Sequence, residues 1–285
     1  MKIILSRKGF DSSKECGQTA SPILPDGSMI SMPIPSKDAG SIPYNKICTR
    51  LGTLGDLATD LTRFRQPNYR LTATSTAHLD PDLGAAALTR REGWLPIFGQ
   101  AEAAQSHLAN QKVSDGDLFL FYGWFRKVER DGGCYKFVRG APHRHVIFGW
   151  LQIGKAYDAA PSEKANAPQW ARYHAHFAND WKNNKVYVAR DKLDLEGLNR
   201  PVSGGGVFQR FSDEQCLTAP GESRRSVWLL PRCFDRLNFT YHNEGARWTQ
   251  RGDDYHLQTV AKGQEFVIDT TNCPKVIDWV RRLFN

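Results

Sequence analysis

The sequence predicts an α+β protein with a mainly antiparallel mixed sheet or partly open barrel core and flanking helices. Three observations predict it. Two long apolar runs, Leu118 to Phe125 and His145 to Gly154, suit strands buried on both faces, and Gly132-Gly133 supplies a turn between them. A third apolar run, Lys2 to Leu5, opens the chain as a short buried strand. Apolar residues at Leu51, Leu54, Leu57, Ala58 and Leu61 recur instead at helical spacing.

Taken in order, the opening strand runs into Ser6-Arg7-Lys8-Gly9-Phe10-Asp11-Ser12-Ser13, which puts cations, a carboxylate and hydroxyls at a strand end. Strand ends aim side chains into crevices while the following loop stays adjustable, so this segment is expected to form a site wall. Pro25-Asp26-Gly27 is a turn signal flanked by apolar residues, and it predicts a packed, hairpin-like excursion with proline-limited edge strands. The 51–64 stretch is read as a helix, His78 to Asp82 as a loop, and Trp94 to Asn110 as a loop entering a second helix.

From Val113 the period changes. Asp115-Gly116-Asp117 turns into the 118–125 strand, and Tyr135 to Val138 pairs back toward it. After the 145–154 strand, the 159–168 stretch reads as a loop, Trp170 to Trp181 as helical, and Lys185 to Ala189 as a strand. The chain closes on an apolar strand after Gln264-Glu265 and a helix from Pro274 to Phe284, with Pro274 at its start and Arg281-Arg282 in its last turn. A single compact domain over 1–285 is expected, with a possible subdivision into 1–112, bearing the site, and 113–285, bearing the antiparallel core.

Composition bounds the function. The 38 Lys and Arg against 30 Asp and Glu give a net charge of +8, which favours polyanionic partners through long-range attraction and counterion release. Nucleic acid or a nucleotide is the expected partner. No apolar run is long enough to span a bilayer, and Met1 to Leu5 is too short for a signal peptide. Six dispersed cysteines without a C-x-x-C pair point to a reducing cytoplasm.

Ser6 to Ser12, Pro22-Ile23-Leu24-Pro25-Asp26-Gly27, Leu79-Asp80-Pro81-Asp82-Leu83, Gly116 to Gly123 and Gly263-Gln264-Glu265-Phe266 together resemble the nucleotide modification associated domain 3 family, over nearly the whole chain and in order. The resemblance implies an α+β protein acting in the modification of nucleic-acid bases, in some cases in phage or anti-phage settings. It implies a theme rather than a reaction. The middle segment is also similar to the barrels of domains that read modified bases, where a Gly-Asp-apolar-apolar-Phe-Tyr strand precedes another apolar strand.

Several constellations are candidates for chemistry. Arg7 offers a planar fork for phosphate, Lys8 a point charge, and Asp11 an orienting group or general base. His78, Asp80 and Asp82 combine an imidazole with two carboxylates, the ligand types used for magnesium, manganese or zinc or for acid–base work on a base ring; an Asp-Pro turn with Asx hydrogen bonds explains the same residues, and no metal ligand is assigned. Arg224 and Arg225 lie in a loop suited to a phosphate, and Tyr122 beside Gly123 is the aromatic picked for stacking on a base. Gln264 and Glu265 are an amide and a carboxylate able to read a base edge or exchange protons. Trp124, Trp150 and Trp228 are expected in the core. The pairs His143/His145 and His174/His176 lack tight zinc-finger spacing and are expected at the surface or against phosphate. Gly204-Gly205-Gly206 has no phosphate-loop pattern and fits a turn or a close approach equally.

Three functions follow: an enzyme acting on a base or nucleotide, a non-catalytic reader of modified bases, and a metal-dependent nuclease. No familiar hydrolase, kinase, methyltransferase or dinucleotide signature is present. The residues imply no particular cofactor and no particular oligomeric state.

Overall fold

The computed structural model describes residues 1–10, 19–242, 245–252, 254–260, 265–271 and 273–285. Seven strands position the site: β1 (Lys2–Arg7), β2 (Thr76–His78), β3 (Ile97–Gln100), β4 (Leu118–Asp131), β5 (Arg144–Asp158), β6 (Lys185–Ala189) and β7 (Glu265–Asp269). Three helices flank them: α1 (Leu54–Thr62), α2 (Glu102–Asn110) and α3 (Pro274–Arg282).

The main sheet runs β7-β1-β4-β5-β6-β3. Only the β1–β4 pairing along this path is parallel, in register Ile3 to Leu118; the others are antiparallel, so the fold is α+β with a mixed, mostly antiparallel sheet. Its central strands are covered on both faces, which is why they read as continuous apolar runs instead of alternating ones. Ile3 and Leu5 of β1, with Leu118 and Leu120 of β4, join a core that includes Trp228, Phe266 and Trp279. Ile4, Phe119 and Phe121 point to the opposite face, against Phe98, Phe148 and Tyr187. α3 closes the first core through Val276, Trp279 and Val280, with Pro274 at its start.

The sheet curls without closing into a barrel. β7 and β3 are the two ends of the strand order, yet the Gln100 side chain on β3 hydrogen-bonds Glu265 on β7, and α2 packs on β7. β2 belongs to a separate three-stranded sheet, between Ile34–Pro35 and Ile42–Pro43.

The Pro25-Asp26-Gly27 signal is a tight turn: Gly27 has φ +84°, its N–H donates to Leu24, and Leu24 in turn donates to Ser28. The preceding strand, Ser21–Ile23, adds to β4 in parallel. Two expectations are corrected. Trp94 to Asn110 is not simply a loop and a helix, because Ile97 to Gln100 pairs with β6 as an edge strand before α2 begins. Trp170 to Trp181 is not a continuous helix; it forms 3-10 turns at Gln169–Ala171 and Ala175–Ala178. The Asn184 amide donates to the carbonyls of His176 (2.8 Å) and Asn179 (3.1 Å), so this backbone is satisfied by a side chain rather than by a helical ladder.

Candidate active site

The curl of the sheet creates a cavity of about 530 Å³. Its wall joins the end of β1 (Arg7, Lys8), the end of β2 and the turn after it (His78, Asp80), the end of β3 (Gln100) and the start of β7 (Glu265). Groups from both edges of the sheet thus meet in one place.

Glu265 is the hub of one wall. Its side chain is 1% exposed, and Oε1 accepts from Lys8 Nζ (3.0 Å), Ser6 Oγ (3.1 Å) and Gln100 Nε2 (2.5 Å). Oε2 is buried with no hydrogen-bond partner among the described residues. Ser6 and Glu265 are register partners across the β1–β7 ladder, which fixes the carboxylate relative to β1. Lys8 Nζ also sits 4.5 Å from the centre of the Phe98 ring, a cation held over an aromatic face.

The facing wall is a histidine–carboxylate cluster. Asp80 Oδ1 accepts the Gly99 N–H at 2.8 Å and lies 3.2 Å from His174 Nε2; Asp80 Oδ2 lies 3.8 Å from His176 Nε2. Burial raises the Asp80 carboxyl pKa, but the His174 hydrogen bond and the fields of His174, His176 and His78 outweigh it, so the group is held well below the usual carboxylate range. Burial pushes His176 down to about 3 despite the Asp80 charge, and it lowers His78 as well. Both imidazoles are therefore neutral near neutral pH. The Trp181 ring stacks on His78 with centroids 5.7 Å apart, and Tyr241, half exposed, leans on His107 at the cavity rim.

His174 and His176 correct an expectation: they are buried, at 2% and 4% exposure, and not at the surface. For His176 the physical reason is Gly99, because a Cβ there would overlap its ring. The H-x-H spacing was the visible signal. What hid its meaning is that the glycine admitting the ring lies on a strand far away in sequence. Gln100, Trp181, His107 and Tyr241 carried no sequence signal of their own.

The other candidates lie elsewhere. Asp82 is fully buried in a bidentate pair with Arg90 (2.6 and 2.7 Å) and accepts the Tyr173 hydroxyl at 2.5 Å. Tyr122 is 1% exposed, packed against Trp228, His145 and Phe266. Arg225 lies over the Trp124 ring at 4.2 Å, away from the cavity, and the neighbouring Arg224 is exposed. His143 stacks on Trp124, and His145 accepts from Trp228 Nε1 at 3.0 Å inside the core. Gly204 to Gly206 pack closely: a Cβ on Gly204 would overlap the Arg190 carbonyl, and Gly205–Val207 pairs with β5. Asp11 and Gln264 lie outside the described residues.

Among the described residues no helix is long and apolar enough to cross a membrane. Neither a curated protein nor a solved structure matches the chain. A family model for nucleotide modification associated domain 3 does match, over residues 2–269, which takes in every strand from β1 to β7 and therefore the whole cavity wall they build. The chain belongs to the nucleotide modification associated domain 3 family.

Proposed function

We propose that this nucleotide-modification-associated protein is an enzyme that acts on a nucleobase, free or in nucleic acid, seated in the cavity between Glu265 and the Asp80 cluster. One observation carries the reading: Glu265 Oε2 is a buried carboxylate oxygen without a hydrogen-bond partner among the described residues, and Glu265 lines a cavity whose volume suits a small ligand. Leaving such an atom unpaired is costly, and the N–H edge of a base ring or an exocyclic amino group satisfies it. The three donors on Oε1 hold the carboxylate in place, so it meets the ligand already oriented.

Other features of the cavity support the same ligand. The Trp181 and His78 rings offer flat faces for a base. Arg7 and Lys8 bring positive charge to the same wall; the Lys8 ammonium has three N–H donors, and Glu265 engages one, leaving capacity for a phosphate. Asp80, kept ionised beside the neutral imidazoles of His78 and His176, faces the ligand from the other side as a proton acceptor or an electrostatic partner for charge that develops on the ring.

The test is nucleoside mass spectrometry of host and phage nucleic acid, and of nucleotide pools, with the wild-type protein and with Glu265→Gln. A nucleoside mass that appears or disappears with the wild type, and is unchanged with the variant, is the expected result. A base that is bound but never altered overturns the enzyme reading in favour of a reader. Unchanged nucleosides together with no nucleotide binding overturn the site itself.

A further inference from the structure

We infer that His78, Asp80 and His176 form a binding site for one divalent transition-metal ion of the zinc and iron class. One donor atom from each residue lies within 4.8 Å of the others. Ligands of a tetrahedral ion with bonds of 2.0–2.1 Å are about 3.3 Å apart, so closing around an ion takes a contraction of at most about 1.5 Å along any edge. The His176 Nε2 to Asp80 Oδ2 separation, 3.8 Å, is already near that spacing.

The hydrogen bonds leave the right atoms over. Asp80 Oδ1 accepts the Gly99 N–H and lies 3.2 Å from His174 Nε2, while Oδ2 lies toward His176. His176 Nδ1 lies 2.5 Å from Asn184 Oδ1, an acceptor that requires the imidazole proton on Nδ1 and so puts the lone pair on Nε2. This is the arrangement by which a second group orients a ligating histidine and sets its tautomer. An independent observation points to a ligand: His78 is 8% exposed, lines the cavity, and its Nε2 is buried with no hydrogen-bond partner among the described residues. A buried imidazole nitrogen left unpaired is costly, and a bound ion at the cavity wall supplies the missing partner.

The donor set also selects the ion. Two imidazoles and one carboxylate suit zinc, iron, cobalt or manganese, whereas magnesium prefers oxygen ligands and resists losing water. Three protein ligands leave coordination positions open, as at catalytic rather than structural metal sites. The site rests on donor geometry and not on the base-modification reading, so an equilibrium metal measurement and a nucleoside assay fail separately.

The test uses the full chain stripped with chelator and titrated with Co(II) and Zn(II), read by calorimetry, with NMR of the Co(II) form. Saturable binding of one ion per chain is expected, with two exchangeable, hyperfine-shifted imidazole N–H resonances. His78→Gln and His176→Gln, each checked for folding by circular dichroism, are expected to weaken binding by at least a hundredfold. Magnesium at the same concentration is expected not to compete. Absence of saturable binding, absence of the shifted imidazole signals, or unchanged affinity in a folded histidine variant overturns the site. Because the NMR arm uses the wild-type chain, it decides the question even if a variant does not fold.

Discussion

Gln100 and Glu265, on the two opposite edge strands of the main sheet, are joined by a side-chain hydrogen bond of 2.5 Å between Gln100 Nε2 and Glu265 Oε1. Among the described residues no backbone ladder joins those edges, so side-chain contacts such as this one, the packing of α2 on β7 and the apolar cluster holding Phe98 and Val267 link them. Gln100→Met keeps the volume and removes the donor. A hydrogen bond to a charged acceptor contributes about 1.5–3 kcal/mol, and urea unfolding is expected to show a loss of that size. A loss under about 0.5 kcal/mol, the range of ordinary surface substitutions, would mean the contact does not fasten the sheet.

The Lys8–Glu265 pair is buried on both sides, 10% and 1% exposed, so removing one partner strands a charge. Lys8→Met is expected to cost about 3–5 kcal/mol. The double variant Lys8→Met with Glu265→Gln removes both charges and is expected to be less destabilised than the sum of the single changes by more than about 1 kcal/mol. Additive effects in denaturant unfolding would show that the two groups are not energetically coupled.

Gly99 has no room for a side chain, since a Cβ would meet the His176 ring. Gly99→Ala must push the ring or β3 aside, at a cost of about 1–3 kcal/mol. It also disturbs the N–H that holds Asp80. Thermal unfolding gives the first effect, and chemical-shift changes of the His176 and His174 ring protons report the second. Unmoved rings would show that the strand yields instead.

Asp82 and Asp80 are two residues apart and sit in different environments. The Asp82 carboxylate is enclosed by Arg90 and Tyr173. Burial and then the Asp82 charge push the Tyr173 hydroxyl pKa up, which keeps it a donor. Asp82→Asn leaves Arg90 without its countercharge, and a loss of about 3–5 kcal/mol in unfolding free energy is expected. A melting temperature within 1–2 °C of wild type, roughly the shift for under 1 kcal/mol in a chain of this size, would refute that structural role.

His242 makes stability depend on pH. Burial pushes it down to about 4 against an ordinary 6.5, with Nδ1 donating to the Thr240 carbonyl and Nε2 accepting the Val260 N–H. The folded state therefore resists protonation while the unfolded chain takes a proton near 6.5. The histidine's contribution is fully present above that value and is lost as pH falls toward 4, by roughly 2–3 kcal/mol. His242→Gln is expected to flatten this part of the pH profile in urea unfolding; an identical slope in the variant would assign the loss to other groups.

The elements set by local pattern were legible in the chain alone. The double-sided strands at 2–5, 118–125 and 145–154, the helix around Leu54–Thr62 and the proline-started terminal helix follow from apolar period and end signals that act within a few residues. Arg7, Lys8, His78, Asp80 and Glu265 were likewise recognisable as chemically suggestive, each from its own neighbourhood. Tertiary structure decided which of them share a cavity. Lys8 meets Glu265 across 257 residues because β1 and β7 pair, and His176 reaches Asp80 because Gly99 on a third strand makes space for its ring. Tyr122, Asp82 and the His174/His176 pair show the same limit from the other side. Their residue types allow a stacking platform, a catalytic acid or a surface histidine, but burial and charge partners are properties of packing, and only the curled sheet determines what each side chain touches.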